Sequence, residues 1–176
     1  MLRVEACNLP SKHDEYYTPP YAIKPLIKYL MPKSAIWCPF DTDQSYYVRV
    51  FNKYGFDTIN THIDCGQDFF DLCIPECDYI ISNPPYSKIN TTLERLFYIS
   101  IPFAMLINGS AIFDNKKRFD ILERNKFELL YLYPRVQYFN NYSKPKEVAK
   151  SPPFHSAYLC SGILPKQICF EKITRC

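Results

Sequence analysis

Asp78-Tyr79-Ile80-Ile81-Ser82-Asn83-Pro84-Pro85-Tyr86-Ser87, DYIISNPPYS, is the stretch on which the reading of this chain turns. Residues 78–82 form a short apolar strand that runs straight into two prolines. Proline has no N–H to give a sheet and its ring fixes φ, so the strand must stop there in a rigid, extended form. The carbonyls that follow cannot join a ladder and face the space beyond the strand end. Asn83 offers a side-chain carbonyl, Pro84 a backbone carbonyl and Tyr86 a flat ring, with Pro85 stiffening the backbone between them. Such a group can accept two hydrogen bonds from an exocyclic amine while stacking on its heterocycle. The bland alternative is a Pro-Pro turn followed by a packing tyrosine.

Working outward, apolar stretches alternate with helical patterns. Residues 34–40 (SAIWCPF) read as a buried strand and 45–54 as a helix closed by Gly55. Residues 58–63 read as a β-branched strand. A helix with Leu93, Leu96 and Phe97 on one face follows the prolines, then a strand over 103–107 and a charged helix over 116–125. Strands over 127–133 and 156–160 flank a polar loop. Strand–helix alternation of this kind predicts an α/β, doubly wound, mostly parallel sheet covered on both faces. The last two strands have a long connection without helical pattern, which predicts antiparallel pairing at one edge. Ligands of such sheets bind beyond the carboxyl ends of the strands. Three polar clusters fall there: Pro39-Phe40-Asp41-Thr42-Asp43, Asn60-Thr61-His62 and Ser82–Ser87.

Composition narrows the class. A chain of 176 residues with 47% hydrophobic and 16% aromatic residues can bury a full core as one domain spanning 1–176. No run approaches the roughly 20 apolar residues of a membrane span, and no export signal opens the chain, so a cytoplasmic protein is expected. Eight cysteines then read as free thiols, and the close pair Cys73 and Cys77 lacks a second pair or a His to complete a metal set. No metal is expected. Glycine is scarce (4) and proline plentiful (15), which leaves little room for a glycine-rich phosphate cradle. Residues 1–87 carry 7 Lys/Arg against 11 Asp/Glu, and residues 88–176 carry 14 against 7. An acidic half suits a small cationic ligand and a basic half suits a polyanion.

Asn-Pro-Pro-Tyr after an apolar strand resembles the catalytic motif of S-adenosylmethionine-dependent amino-methyltransferases, above all the DNA adenine-N6 methyltransferases of phage type. Asp14-Glu15-Tyr16-Tyr17-Thr18-Pro19, followed by the helical pattern Ala22, Ile23, Leu26, Ile27 and Leu30, resembles their N-terminal cofactor motif. Gln67-Asp68-Phe69-Phe70 is similar to the Asp-Phe-Phe that meets the cofactor adenine in that family. The resemblance covers nearly the whole chain and implies a Rossmann-like methyltransferase fold. It implies a cofactor site drawn from Tyr17, Thr18, Pro19, Pro39, Phe40, Asp68 and Phe69, and a catalytic segment Asn83-Pro84-Pro85-Tyr86. Two departures stand out. Cys38 occupies an acidic position, and Asp41-Thr42-Asp43-Gln44-Ser45 replaces a glycine turn, so Asp41 or Asp43 is expected to hold the cofactor's amino group. The acid that would bind ribose after the second strand is absent, and Asn60, His62 and Asp64 stand in that region.

The implied chemistry needs no base: carbonyls of Asn83 and Pro84 stabilise the charge that develops on an attacking amine. A base inside a duplex must be flipped out to reach them, where Tyr86 would stack on it. Arg135, Lys144, Lys146 and Lys150, around a polar loop with interleaved aromatics, are the expected DNA contacts, and Lys116-Lys117-Arg118 is a weaker candidate whose plain alternative is a solvated helix face. No separate target-recognition domain is expected, so sequence selectivity would be weak, confined to the 134–153 loop or supplied by a partner; a recognition subunit or a homo-oligomer is the expected assembly. His155 reads as a structural hydrogen-bonding residue. Two rival readings remain: a methyltransferase-fold binding module without turnover, and an RNA or protein-glutamine methyltransferase.

Overall fold

The structure is a computed structural model that describes residues 17–139 and 154–175. Among these residues seven strands form one sheet: β1 (Ala35–Cys38), β2 (Asp57–Asn60), β3 (Tyr79–Ser82), β4 (Phe103–Asn108), β5 (Glu128–Tyr133), β6 (Ser156–Ser161) and β7 (Ile168–Lys172). Their order is β2-β1-β3-β4-β6-β5-β7. β2, β1, β3 and β4 run parallel, and β6 is antiparallel to both β4 and β5. The chain leaves β1 for β2 on one side and returns to β3 on the other, so β1 and β3 flank the switch point at which open α/β sheets bind ligands.

The α/β, mostly parallel sheet is as expected. Its antiparallel strand is not at the edge, because β6 inserts between β4 and β5 and pairs with both. The edge is β7, which runs parallel to β5. The alternation of Ile168, Phe170 and Lys172 with Cys169 and Glu171 carries too few apolar residues to announce this strand in the sequence. β2 is also shorter than expected. Its chain leaves the ladder at Thr61 because His62 Nδ1 accepts a hydrogen bond from the Asp64 amide at 3.1 Å and starts a tight turn that ends at Gly66, φ 73°.

Helix α1 (Pro20–Ile23) runs into a 3-10 segment over Lys24–Tyr29, where Pro25 cannot donate to an α-helical ladder. Helix α2 (Tyr46–Lys53) buries Tyr47, Val50 and Phe51 at helical spacing and stops at Gly55, whose φ of 81° suits only a residue without Cβ. These elements cover one face of the sheet, packing on Ile36, Ile81, Leu106, Tyr158 and Leu130. Helices α3 (Ile89–Ile99) and α4 (Lys116–Glu123) cover the other through Leu93, Leu96, Ile121 and Leu122 against Trp37, Ile80, Phe103 and Met105. Each large side chain so buried contributes about 1.5–3 kcal/mol. Two such layers make the carboxyl edge of the parallel strands a rigid rim.

Candidate active site

The sequence candidates that directly follow β1, β2 and β3 lie on that rim. After β1, Pro39 and Phe40 lead to Asp41, which is only 5% exposed. The Asp41 amide donates to the Thr61 carbonyl at 3.1 Å, and Ser82 Oγ donates to Asp41 Oδ2 at 2.5 Å. Thr61 is itself fixed, accepting from Trp37 Nε1 at 3.0 Å and donating its amide to the Cys38 carbonyl at 3.1 Å. The loops after β1 and β2 and the end of β3 thus converge on one buried carboxylate at the switch point. Burial, and then the Asp41 charge, push the Cys38 thiol well up, so it remains a neutral wall. Asp43 is exposed on the outer side of the same loop. In place of a glycine turn, Thr42 and Ser45 clasp each other: the Thr42 amide donates to Ser45 Oγ at 3.1 Å and the Ser45 amide to the Thr42 carbonyl at 2.9 Å.

Beyond Ser82, Asn83 is half-buried, Pro84 buried, and Pro85 extended at φ −61° and ψ 131°. Tyr86 opens a single 3-10 turn. Its ring packs edge-on against Phe154 with centroids 5.8 Å apart, and its phenol faces Tyr138. Tyr138 is fully buried and shares a 2.7 Å hydrogen bond with Ser156 Oγ. Burial holds the Tyr138 phenol above its ordinary range, so it stays protonated. The ring of Tyr86 is therefore held at its edges by residues from the far end of the chain.

The N-terminal motif is tied to the same region. Tyr17 and Phe139 exchange backbone hydrogen bonds at 3.1 and 3.3 Å, and Phe139 also packs edge-on against Tyr46 at the start of α2. Tyr21 Oη accepts from the Gln137 amide at 2.9 Å and donates to the Gln137 carbonyl at 3.2 Å. Pro19 is buried and Thr18 is 3% exposed, and Thr18 Oγ1 has no hydrogen-bond partner among the described residues. Asp14, Glu15 and Tyr16 of this motif lie outside the described residues.

Asp68 is half-exposed, and its Oδ1 accepts from the Phe70 amide at 3.0 Å, closing its own turn. Phe69 is a core residue at 1% exposure, in ring contact with Phe40 at 5.0 Å and Trp37 at 5.4 Å. It supports the wall that Phe40 presents rather than lining it.

Of the expected DNA contacts, Arg135 is half-buried and its carbonyl accepts from Arg175 at 2.6 Å. Lys144, Lys146 and Lys150 lie outside the described residues. Lys116 pairs with Asp120 at 2.9 Å and Lys117 with Glu94 at 3.1 Å, while Arg118 is buried and donates to Asn90 Oδ1 at 2.9 Å. That trio belongs to the structure of the α3–α4 face. Among the described residues no cluster of His, Cys, Asp and Glu could hold a metal ion.

Sequence reasoning did not foresee the contacts of Ser82, Thr61 and Tyr138, and it did not name Phe154. Ser82 and Thr61 stood inside clusters already singled out, and a buried acid directly after a strand was the available signal that partners must exist. Tyr138 stood in the segment 135–139, whose aromatics were expected to support an extruded base, while Phe154 had no local signal, since only the sheet order brings it to Tyr86.

The residues present fit S-adenosylmethionine. A buried hydroxyl without a partner costs about 1–3 kcal/mol, and among the described residues Thr18 Oγ1 is such a group within the motif expected to meet the cofactor. Asp41 places a buried carboxylate at the switch point, suited to an ammonium group, beside the aromatic wall of Phe40.

No protein-family profile matches the sequence, and no curated protein matches it. Solved structures do. The chain superposes on "a modification subunit of a putative type I restriction enzyme" from Vibrio vulnificus YJ016 with a TM-score of 0.54 and 12% identity, covering 83% of this chain and 44% of the other. It superposes on a type I restriction-modification system methyltransferase subunit from Streptococcus thermophilus with a TM-score of 0.56 and 12% identity, covering 95% and 49%. The chain thus spans about half the length of these two proteins and shares the fold of that half.

Proposed function

We propose that this chain is an S-adenosylmethionine-dependent methyltransferase that modifies the N6 amine of adenine in DNA. The observation that carries the reading is the placement of the Asn83 and Pro84 acceptors at the end of β3, one residue from the Ser82–Asp41 bond at the switch point. Asp41 would hold the cofactor's amino group, Thr18 would bond it, and Tyr17, Pro39, Phe40 and Asp68 would border it. When bound, the cofactor supplies an electrophilic methyl group. Asn83 Oδ1 and the Pro84 carbonyl accept the two N–H groups of the adenine amine and orient its lone pair. As positive charge develops on that nitrogen, both carbonyls stabilise it, and the surplus proton leaves to water afterwards. Pro85 prevents the segment from relaxing, and Tyr86 stacks on the extruded base.

The two solved structures described above are a modification subunit of a putative type I restriction enzyme and a type I restriction-modification methyltransferase subunit. That supports a DNA substrate and a recognition function supplied in trans to this chain, whose bacterial or phage-infected cytoplasm would hold both. No helix among the described residues is long and apolar enough to cross a membrane. Arg135 and the lysines at 144, 146 and 150 are proposed as phosphate contacts.

One observation favours the rival binding-module reading: Asp41 is already bonded to Ser82, and Asp68 to its own turn. Calorimetric titration with S-adenosylmethionine separates the two. Cofactor heat, followed by label transferred from cofactor to adenine in mixed duplex DNA, supports the enzyme. Heat without label on any nucleic acid or protein favours the module, and label on RNA or on glutamine moves the assignment to the third class.

A further inference from the structure

The two strands at the far end of the sheet, β5 and β7, divide their side chains unusually by charge. Both of their acids face inward to the α1 side. Glu128 accepts backbone N–H groups from Gly162, Ile163 and Leu164 at 2.8–3.0 Å. Glu171 accepts from Tyr29 Oη at 2.7 Å and pairs with Lys28. Because strand residues alternate between faces, the opposite face carries Tyr131, Tyr133, Ile168, Phe170 and Lys172 and no acid. Helix cover on this side stops short of β7. Phe170 is 73% exposed and Tyr133 58%, an unusual exposure for rings on a sheet.

These rings connect to the site. The Tyr131 ring lies 6.1 Å from Phe170 on one side and stacks on His155 at 6.0 Å and 22° on the other. Phe154, the neighbour of His155, is the residue that packs against Tyr86. Ring contacts therefore run from the exposed edge strand as far as His155, the chain neighbour of Phe154, with exposed Lys172 on the same face at the rim end of β7.

We infer that the outer face of β5 and β7 is a stacking track for a nucleic-acid strand with unpaired bases, which Phe170, Tyr131 and Tyr133 hold by their rings and Lys172 by a phosphate. The direction of the track, toward Tyr86, rests on the function proposed above; the track itself does not. Flat rings on a sheet face offer stacking, and only an unpaired strand exposes base faces to accept it. Lys172, with no acid among the β5 and β7 residues of this face, suits a polyanion and opposes a second copy of the same surface. Base–aromatic stacking is tolerant of sequence, which fits an approach path to a site that reads one base.

The test uses the full chain and a fluorescent oligothymidylate, which contains no adenine and so cannot be a methylation substrate. Phe170→Ala and Tyr133→Ala, both at exposed rings, should each weaken binding by about fivefold or more. Lys172→Glu should lower the slope of log affinity against log salt by about one. A strand carrying bromodeoxyuridine should photocrosslink to peptides containing Tyr131 or Phe170. Strand affinity unchanged in all three variants, crosslinks confined to other peptides, or a monomer–dimer equilibrium that Phe170→Ala shifts in sedimentation in place of strand binding would each overturn the track. Cofactor titration of the same proteins keeps the two proposals apart. A strand affinity that depends on Phe170 without any cofactor heat leaves the track standing and removes the methyltransferase. Cofactor heat with a strand affinity indifferent to Phe170 does the reverse.

Discussion

Ser82 Oγ and Asp41 Oδ2 stand 2.5 Å apart, and through them the last residue of β3 is bonded to the loop that leaves β1. Both side chains are buried, at 0% and 5% exposure. A carboxylate at that depth is tolerated only with charge-assisted partners. The bond therefore fixes the relative position of the two strand ends between which a ligand of this fold would sit.

Ser82→Ala should destabilise the protein by about 1–3 kcal/mol, because it strips a buried carboxylate of one partner. Chemical denaturation measures this as a lower midpoint at unchanged slope. The variant should also lose cofactor affinity through displacement of the Asp41 loop. An unchanged midpoint would show that the bond contributes nothing.

Thr18→Val should act with opposite signs on two quantities. The isosteric apolar group removes a buried hydroxyl that has no partner among the described residues, so stability should hold or rise slightly. Cofactor affinity should fall by about tenfold, the worth of one ordinary to strong hydrogen bond. Loss of stability together with unchanged affinity would assign the hydroxyl to the fold instead.

On the proposed function, Asn83→Ala should reduce the methyl-transfer rate about a hundredfold while leaving the heat of cofactor binding intact, since it removes the acceptor proposed to hold the target amine. Tyr86→Phe should be mild, because the ring is retained and Tyr138 keeps its bond to Ser156. Tyr86→Ala should weaken binding of DNA that contains an extruded or mismatched adenine. Single-turnover kinetics with labelled cofactor distinguish these outcomes.

Glu171 provides a pH signature of the fold. Partial burial raises its pKa, but hydrogen bonds from Lys28 and Tyr29 outweigh this and set it below the model-peptide value of 4.5. A carboxyl lowered on folding contributes stability above its unfolded pKa and loses it as pH falls through the folded one. Denaturation midpoints of wild type and Glu171→Gln should therefore differ near neutrality and draw together as the pH falls below the ordinary carboxylate range. A gap that does not narrow as the pH falls would mean that packing, not charge, sets the contribution.

Much of the fold was legible because it rests on local rules. The prolines at 84 and 85 end β3 where the sequence places its end, and Gly55 stops α2 as its left-handed conformation requires. The last third of the chain was less legible. β7 alternates exposed apolar residues with Cys169 and Glu171 in a pattern too weak to stand out. The interior position of β6 depends on which strands it pairs with, and no local pattern records that.

The sequence by itself determined the strand–helix alternation, the rigid acceptor segment at the end of β3 and the choice of polar clusters at strand ends, because each follows from residues within one element. The tertiary structure alone decided that Asp41 meets Ser82, 41 residues away, that Tyr21 is latched to Gln137, 116 residues away, and that Glu128 and Glu171 share one face. Those contacts depend on strand order and register, which the whole sheet fixes cooperatively by burying both of its faces. Residue type dictates what Asp41 can bond, but only the packed sheet dictates what lies within reach.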